Sequence, residues 1–106
     1  MPLEFSQEMR RAAKVDANHT DIVKALRKMG CTVADTSAVG KGFPDIVVGY
    51  RGKNFLVEIK DGEKCKSAQK LTAAQVEFHD LWRGNALVVN SIDSAIQALT
   101  KKYNKN

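Results

Sequence analysis

The sequence is poor in cysteine, proline and aromatic residues, and it has no long hydrophobic run. It contains two cysteines, two prolines and one tryptophan among 106 residues. Neither Cys31 nor Cys65 has a second cysteine or a histidine at metal-ligand spacing, so we expect free thiols and no zinc site. No apolar stretch is long enough to span a bilayer, and the first residues form no hydrophobic block. We therefore expect no membrane segment, no secretory signal and a cytoplasmic location.

The residues that are present fit one small basic domain. Hydrophobic residues make up 43% of the chain, enough for one modest core, which excludes an intrinsically disordered chain. No repeat or linker divides the sequence, so we expect a single domain over 1–106 with flexible ends at 1–14 and 101–106. Lysine and arginine number 17 against 12 acidic residues, a formal net charge of +5. This charge mildly favours a polyanionic partner.

The first half of the chain has the pattern of a helix followed by three strands. Apolar residues at helical spacing follow Asp16, which can cap a helix that Gly30 ends. Arg51 and Gly52 separate two runs rich in β-branched residues, which indicates a hairpin. The three predicted strands cover 31–34, 45–50 and 54–60.

The second half predicts a helix, a strand and a last helix. Thr72 and Gln75 match a capping box, in which each side chain bonds a free backbone amide of the other residue. The helix that they open should run to about Trp82, and we interpret Phe78 and Trp82 as core or interface residues. The apolar run 86–89 predicts a strand that is buried on both faces. The last helix follows this strand, and Ser91 is expected to cap it.

The hairpin brings ionisable side chains together. With Arg51 and Gly52 as the turn, Asp45 lies opposite Glu58, and Lys60 lies on the same face, because strand side chains alternate. A turn of another length but the same parity keeps all three on that face. Two carboxylates about 5 Å apart repel by roughly 3 kcal/mol at an effective dielectric of about 20, and a divalent cation between them reverses that sign.

A solvated cross-strand charge ladder is the alternative interpretation of these three residues. Two features favour a site instead. The Pro44-Asp45 step directly follows a glycine-rich loop, and both acids stand within runs that are otherwise apolar. Hard oxygen ligands that project from rigid strands are what Mg²⁺ or Mn²⁺ requires.

Pro44-Asp45, the hairpin and Glu58-Ile59-Lys60 together resemble the PD-(D/E)xK nuclease signature. The segment 42–52, GFPDIVVGYRG, resembles the VRR-NUC (virus-type replication-repair nuclease) branch in its small stand-alone, phage-like form. This resemblance implies an α/β fold with a restriction-endonuclease-like αβββαβ core, a mixed central sheet and a C-terminal helix. It also implies a Mg²⁺- or Mn²⁺-dependent endodeoxyribonuclease, which a phage-encoded chain would supply to the host cytoplasm.

The resemblance assigns roles to the hairpin residues. Asp45 and Glu58 would bind the metal ion, and the Ile59 carbonyl would be a further ligand. The metal ion would lower the pKa of a bound water and stabilise charge on the scissile phosphate. Lys60 would orient or deprotonate the attacking water, or hold the phosphate.

Residues outside the hairpin would complete the site. Asp21, about one turn into the first helix, is the candidate for an additional metal-binding acid, and Asp16 is the alternative. Gln75 resembles a glutamine that such nucleases place near the phosphate, a role compatible with its part in the capping box. Four lysines in the two loops that flank the hairpin would contact the phosphate backbone: Lys41, Lys64, Lys66 and Lys70.

Stand-alone members of this branch resemble small dimeric junction resolvases. The implied substrate is therefore branched DNA such as a four-way (Holliday) junction. A domain this small would not embrace a branched substrate alone, so a homodimer is expected, with two sites for strands of matching polarity. The alternatives are a non-catalytic DNA-binding module and a nicking or restriction-like nuclease.

Overall fold

The computed structural model describes residues 17–101, and its elements follow the predicted order. They are α1 (His19–Lys28), β1 (Thr32–Asp35), β2 (Ile46–Tyr50), β3 (Lys53–Ile59), a 3-10 turn (Lys66–Gln69), α2 (Ala73–Leu81), β4 (Ala86–Val89) and α3 (Ile92–Thr100). The strands form one mixed sheet in the order β1-β2-β3-β4, in which only β3 and β4 are parallel. The predicted α/β fold, with its αβββαβ core and C-terminal helix, is confirmed.

Two expectations from the sequence concern the ends of the chain and the membrane. The segments 1–14 and 101–106, expected to be flexible, lie outside the described residues apart from Lys101. Within the described part of the chain, no helix has the length and apolar character that crossing a membrane requires.

One face of the sheet forms the hydrophobic core with α1 and α3. Strand side chains alternate between faces, and the apolar residues of β2 and β3 at every second position point to this face. Full burial of one valine, leucine or isoleucine side chain stabilises a fold by about 1.5 to 3 kcal/mol. The fully buried positions include Ile22 and Leu26 from α1, Ile46 and Val48 from β2, and Val57 and Ile59 from β3. Glu58 alternates with the core residues of β3 and therefore points to the opposite face of the sheet.

Helix α1 begins later than the sequence indicated, at His19 after Asn18, and Asp16 lies outside the described residues. The Asn18 side chain makes no capping bond to its own helix. Its Nδ2 instead donates to the carbonyl oxygens of Lys60 and Asn90, each at 3.1 Å. These two residues directly follow β3 and β4, so Asn18 ties the start of α1 to the ends of both strands.

Helix α2 and strand β4 are less buried than the sequence indicated. No residue of α2 is buried, and Leu81 is 66% exposed. Val89 points into the core, whereas Val88 is 47% exposed, so β4 buries one face and not two. The reason is that α1 and α3 cover only the core face, and β4 is an edge strand.

The loop before β2 packs closely against the start of α2. Gly40, Lys41 and Gly42 all have positive φ, at 78°, 58° and 81°. A Cβ on Gly42 would lie 2.4 Å from the carbonyl oxygen of Ala74, whereas a Cβ on Gly40 would meet nothing within 4 Å. Gly42 therefore allows a close approach within the protein, between the loop that precedes Asp45 and the first turn of α2.

Replacement of Gly42 by alanine should destabilise the fold more than the same change at Gly40. Both variants strain a left-handed backbone, at a cost of about 1 to 2 kcal/mol. Gly42→Ala adds a steric clash with Ala74, for which about 1 to 3 kcal/mol is typical. Urea unfolding of both variants measures the difference, and equal losses would contradict the close approach.

Candidate active site

The β2–β3 hairpin has the predicted register. Ile46 pairs with Val57 across a two-residue turn at 51–52, in which both residues have positive φ. The Asp45 amide donates at 3.0 Å to the carbonyl of Val57, the residue that pairs with Ile46, so Asp45 lies just outside the regular ladder at the start of β2. A position of Asp45 directly across from Glu58 stays a prediction.

A main-chain hydrogen bond fixes the Asp45 carboxylate. Its Oδ2 accepts from the Ile59 N–H at 2.8 Å. Because Ile59 separates Glu58 from Lys60, this bond holds the Asp45 side chain against the strand that carries the other two predicted residues. Each carboxylate oxygen has two lone pairs, so an oxygen that accepts one hydrogen bond retains capacity for a metal ion.

Glu58 is a buried carboxylate with polar neighbours. It is 3% exposed, and burial of a charge is costly unless other groups compensate it. Gln75 Nε2 donates to Glu58 Oε2 at 2.9 Å, and Lys60 Nζ lies 3.9 Å from the same oxygen. An amide and an ammonium group therefore stabilise the charge of Glu58 at this position.

Gln75 connects Glu58 and Lys60 to helix α2. Its Oε1 accepts from Lys60 Nζ at 3.0 Å and from the Thr72 amide at 2.9 Å. Thr72 Oγ1 accepts from the Gln75 amide at 3.2 Å, which completes the predicted capping box. The same side chain thus caps its helix and contacts both Glu58 and Lys60.

The donor set fits a hard divalent cation. Asp45 and Glu58 supply carboxylate oxygens. A backbone carbonyl is available from Ile59, the residue between Glu58 and Lys60. Mg²⁺ is usually held by one or two carboxylates and retains several waters, so two acids are sufficient. Among residues 17–101, no group of three or more histidine, cysteine, aspartate or glutamate side chains is arranged to hold a metal ion.

Asp21 does not join Asp45 and Glu58. It is exposed on α1 and lines a separate cleft of about 590 Å³ together with Asp61, Glu63 and Asp93. The reason is that α1 packs on the core face of the sheet, whereas Glu58 points to the other face. The expectation that Asp21 adds a ligand to this pair is not supported by its position.

The four predicted phosphate-contacting lysines are exposed in the two loops beside the site. Lys41 lies in the glycine-rich loop before Asp45. The other three lie in the segment that joins Lys60 to Thr72, so this segment begins and ends at site residues. They are Lys64, Lys66 and Lys70. Their contact with DNA stays a prediction.

Both cysteines are free, as expected, and their environments differ. Burial raises the pKa of the Cys31 thiol. The hydrogen bond between Cys65 Sγ and Ser67 Oγ, at 3.3 Å, lowers the pKa of the exposed Cys65 thiol. Cys65 is therefore the more reactive thiol, and it stands in the lysine-bearing loop.

Asn18 is not among the predicted site residues, yet it holds the Lys60 carbonyl and so positions the residue after β3. Asparagine is among the favoured residues at the position before a helix, which is a signal that the sequence contains. Asp16, two residues earlier, carries the same signal. The choice between them depends on where the strands end in space, which the local sequence does not reveal.

Neutralisation of either acid should abolish stabilisation by a divalent ion. Mg²⁺ at about 100 times its Kd should raise the free energy of unfolding of the unsubstituted protein by about 2.7 kcal/mol. Asp45→Asn and Glu58→Gln should show no such gain, because each variant removes one of the two carboxylates that would bind the ion. Thermal unfolding with and without Mg²⁺ measures the gain for each protein.

Asp61→Asn is the matched control, because it removes one acid from the separate cleft. It should retain the full gain in stability with Mg²⁺. A gain that persists in Asp45→Asn, or that disappears in Asp61→Asn, would contradict a metal site at the hairpin.

Comparison with known proteins gives one informative match. No protein-family model matches the chain, and no curated protein sequence matches it. A solved structure described as a VRR_NUC domain superposes with a TM-score of 0.61 and 24% sequence identity, and the match covers 83% of this chain and 100% of that one. The resemblance to VRR-NUC domains is thus confirmed at the level of the fold, which this chain shares over the full length of that domain.

Proposed function

We propose that this protein is a metal-dependent DNA endonuclease of the VRR-NUC type, which hydrolyses phosphodiester bonds. One observation carries the proposal: Gln75 joins Glu58 and Lys60 at 2.9 and 3.0 Å, and the amide of Ile59, the residue between them, donates to the Asp45 carboxylate at 2.8 Å. These residues stand on a fold shared with a VRR_NUC domain. A solvated charge ladder would not bury its glutamate to 3% exposure.

Asp45 and Glu58 hold Mg²⁺ or Mn²⁺ in this proposal, with the Ile59 carbonyl as a further ligand. The bound ion supplies a water of lowered pKa and stabilises negative charge on the phosphate. The protein fixes its ligands before the substrate arrives, because the Ile59 amide holds Asp45 and Gln75 holds Glu58. Such preorganisation is a main source of electrostatic catalysis.

Lys60 acts on the phosphate or on the attacking water. Its ammonium group has three N–H donors, and one of them is directed to Gln75 Oε1. The side chain is only 13% exposed, so its position is restricted. With its remaining donors Lys60 orients the water or holds a phosphate oxygen, and Gln75 keeps the ammonium beside Glu58.

The basic loops supply the attraction for DNA. The chain has a net charge of +5, and the two loops that flank the hairpin expose four lysines. We propose branched DNA, such as a four-way junction, as the substrate, and a homodimer as the acting species. A two-fold dimer presents two equivalent sites to two strands, which a domain of this size cannot do alone.

Cleavage should depend on the hairpin acids and on a divalent ion. Asp45→Asn should reduce the rate of strand cleavage by at least about a hundredfold, because catalysis by fixed charges is lost. It should leave DNA binding largely intact, since the basic loops are unchanged. A cleavage assay with Mg²⁺ or Mn²⁺ on a synthetic four-way junction measures this, with Asp61→Asn as the control that retains activity.

The same assay on a linear duplex tests the choice of substrate. Equal cleavage of junction and duplex would remove the preference for branched DNA and favour a nicking or restriction-like nuclease. Absence of any metal-dependent strand break would leave a non-catalytic DNA-binding module as the function.

The lysine loops should set the salt dependence of DNA binding. Each lysine that contacts a phosphate adds about 0.9 to the slope of log K against log salt concentration. Lys64→Ala or Lys66→Ala should therefore lower the slope by about 1 and weaken binding to every DNA alike. Lys53→Ala is the matched control, because Lys53 is exposed at the turn end of the hairpin. An equal effect in this variant would point to overall charge and not to a loop contact.

A further inference from the structure

Three aromatic rings form a continuous row beside the candidate active site. The ring centroids of Phe43 and Phe78 are 5.3 Å apart in an edge-to-face arrangement. Phe78 and Trp82 are stacked, with centroids 5.1 Å apart and an interplanar angle of 16°. We call Phe43, Phe78 and Trp82 the aromatic row. It begins one residue before Pro44 and ends at the residue that follows α2.

The outer member of the row is open to solvent. Trp82 is 44% exposed, so it is not the core residue that the sequence allowed. Phe78 covers one face of the indole, and Gly84 approaches its Nε1, where a Cβ on Gly84 would lie at 2.9 Å. A further flat ring would stack on the face opposite Phe78, and the exposed fraction of Trp82 leaves solvent-accessible area on the side chain for such a contact.

The row is in register with the hairpin site. Ala74, Phe78 and Trp82 recur every four residues and share one side of α2, and Ala74 packs against Gly42. Gln75, which contacts Glu58 and Lys60, lies seven residues before Trp82. At 1.5 Å per residue the two are about 10 Å apart along the helix axis. That distance corresponds to about three stacked base steps of 3.4 Å each.

The charges around the row suit a nucleic acid. Lys41 and Lys70 flank the start of α2, and Arg83 follows Trp82; all three are exposed. The acidic residues of α2 lie elsewhere, because at 100° per residue Glu77 and Asp80 are about 140° and 200° around the helix from Trp82. Basic groups thus stand at both ends of the row, and the acids face away from it.

We propose that the exposed face of Trp82 stacks an unpaired base of the DNA substrate, about three nucleotides from the phosphate at the hairpin site. This inference rests on the proposed function, a nuclease for branched DNA, and narrows that substrate class to branches that expose unpaired nucleotides, as a flap does and a fully paired four-way junction does not. Every base has a flat aromatic face, so such stacking is indifferent to sequence but requires a base that has left the duplex. The aromatic row therefore selects DNA with unpaired nucleotides over continuous duplex.

Trp82 is the only tryptophan, so its fluorescence reports directly on this contact. In EDTA, where no cleavage occurs, we expect a duplex with a single-stranded flap to quench the tryptophan emission of the unsubstituted protein. A continuous duplex of equal charge should leave that emission unchanged. Quenching that is equal for both DNAs, or absent for both, would overturn the proposal.

Substitutions test the energetic contribution. Trp82→Leu should weaken binding to flap DNA by about tenfold, the loss expected for one base stack. Binding to continuous duplex should change by less than about twofold, as for an ordinary surface substitution. Trp82→Phe should retain most of the affinity for flap DNA, which separates loss of stacking from loss of folding. Leu81→Ala is the matched control, since Leu81 is 66% exposed and not aromatic, and it should change neither affinity.

A second copy of this chain is the other occupant that an exposed tryptophan could have. In that case the tryptophan emission would shift with protein concentration in the absence of DNA, and Trp82→Leu would reduce the sedimenting mass. The substitution would also change the affinities for flap DNA and for continuous duplex equally. These results would overturn the proposal. The readout needs no metal ion and no cleavage. A protein that shows the flap-specific quench but cuts no DNA would contradict the nuclease function alone, and a protein that cuts DNA without the quench would contradict only the stacking contact.

Discussion

The register of the β2–β3 hairpin is the constraint on which the core and the candidate site both depend. Strand side chains alternate, so a slip of one residue would expose the core side of β2 and move the Ile59 amide away from the Asp45 carboxylate that it now holds. The positive φ angles at Arg51 and Gly52 suit the tight turn that fixes this register. Burial of Ile46 and its neighbours on the core face therefore also keeps Asp45 beside the strand that carries Glu58. The site is maintained by the same free energy that folds the sheet.

Helix α2 depends on polar contacts, because it buries none of its residues. Gln75 caps the helix and contacts Glu58 and Lys60 with the same side chain. Gly42 allows the preceding loop to approach Ala74. Each partner needs the other: Glu58 would be a poorly compensated buried charge without Gln75, and α2 would have little to hold it to the sheet. Segments with few buried apolar contacts open more easily than the core, so among the three helices of residues 17–101 we expect α2 to be displaced most readily.

The sequence predicted what local rules decide. The turn at Arg51 and Gly52 predicted the register of β2 against β3, and the pattern from Thr72 to Gln75 predicted the capping box; both are confirmed. The errors concern positions that depend on how elements pack. Asp21 was expected beside the two acids, but nothing in the first helix reveals which face of the sheet it covers. The apolar run of β4 predicted burial on both faces, because a sequence does not state that its strand lies at a sheet edge.

The weak packing of α2 gives a physical reason why DNA structure could matter to the proposed enzyme. A ligand that contacts both ends of a loosely held helix stabilises its bound position more than a ligand that contacts one end. The proposed phosphate site adjoins Gln75 at the start of α2, and the proposed base contact is with Trp82 at its end. A DNA with an unpaired base would engage both ends, and it would keep Gln75 against Glu58 and Lys60. A continuous duplex would contact only the start of α2. The two DNAs would then differ not only in affinity but also in how completely they hold the catalytic residues in position.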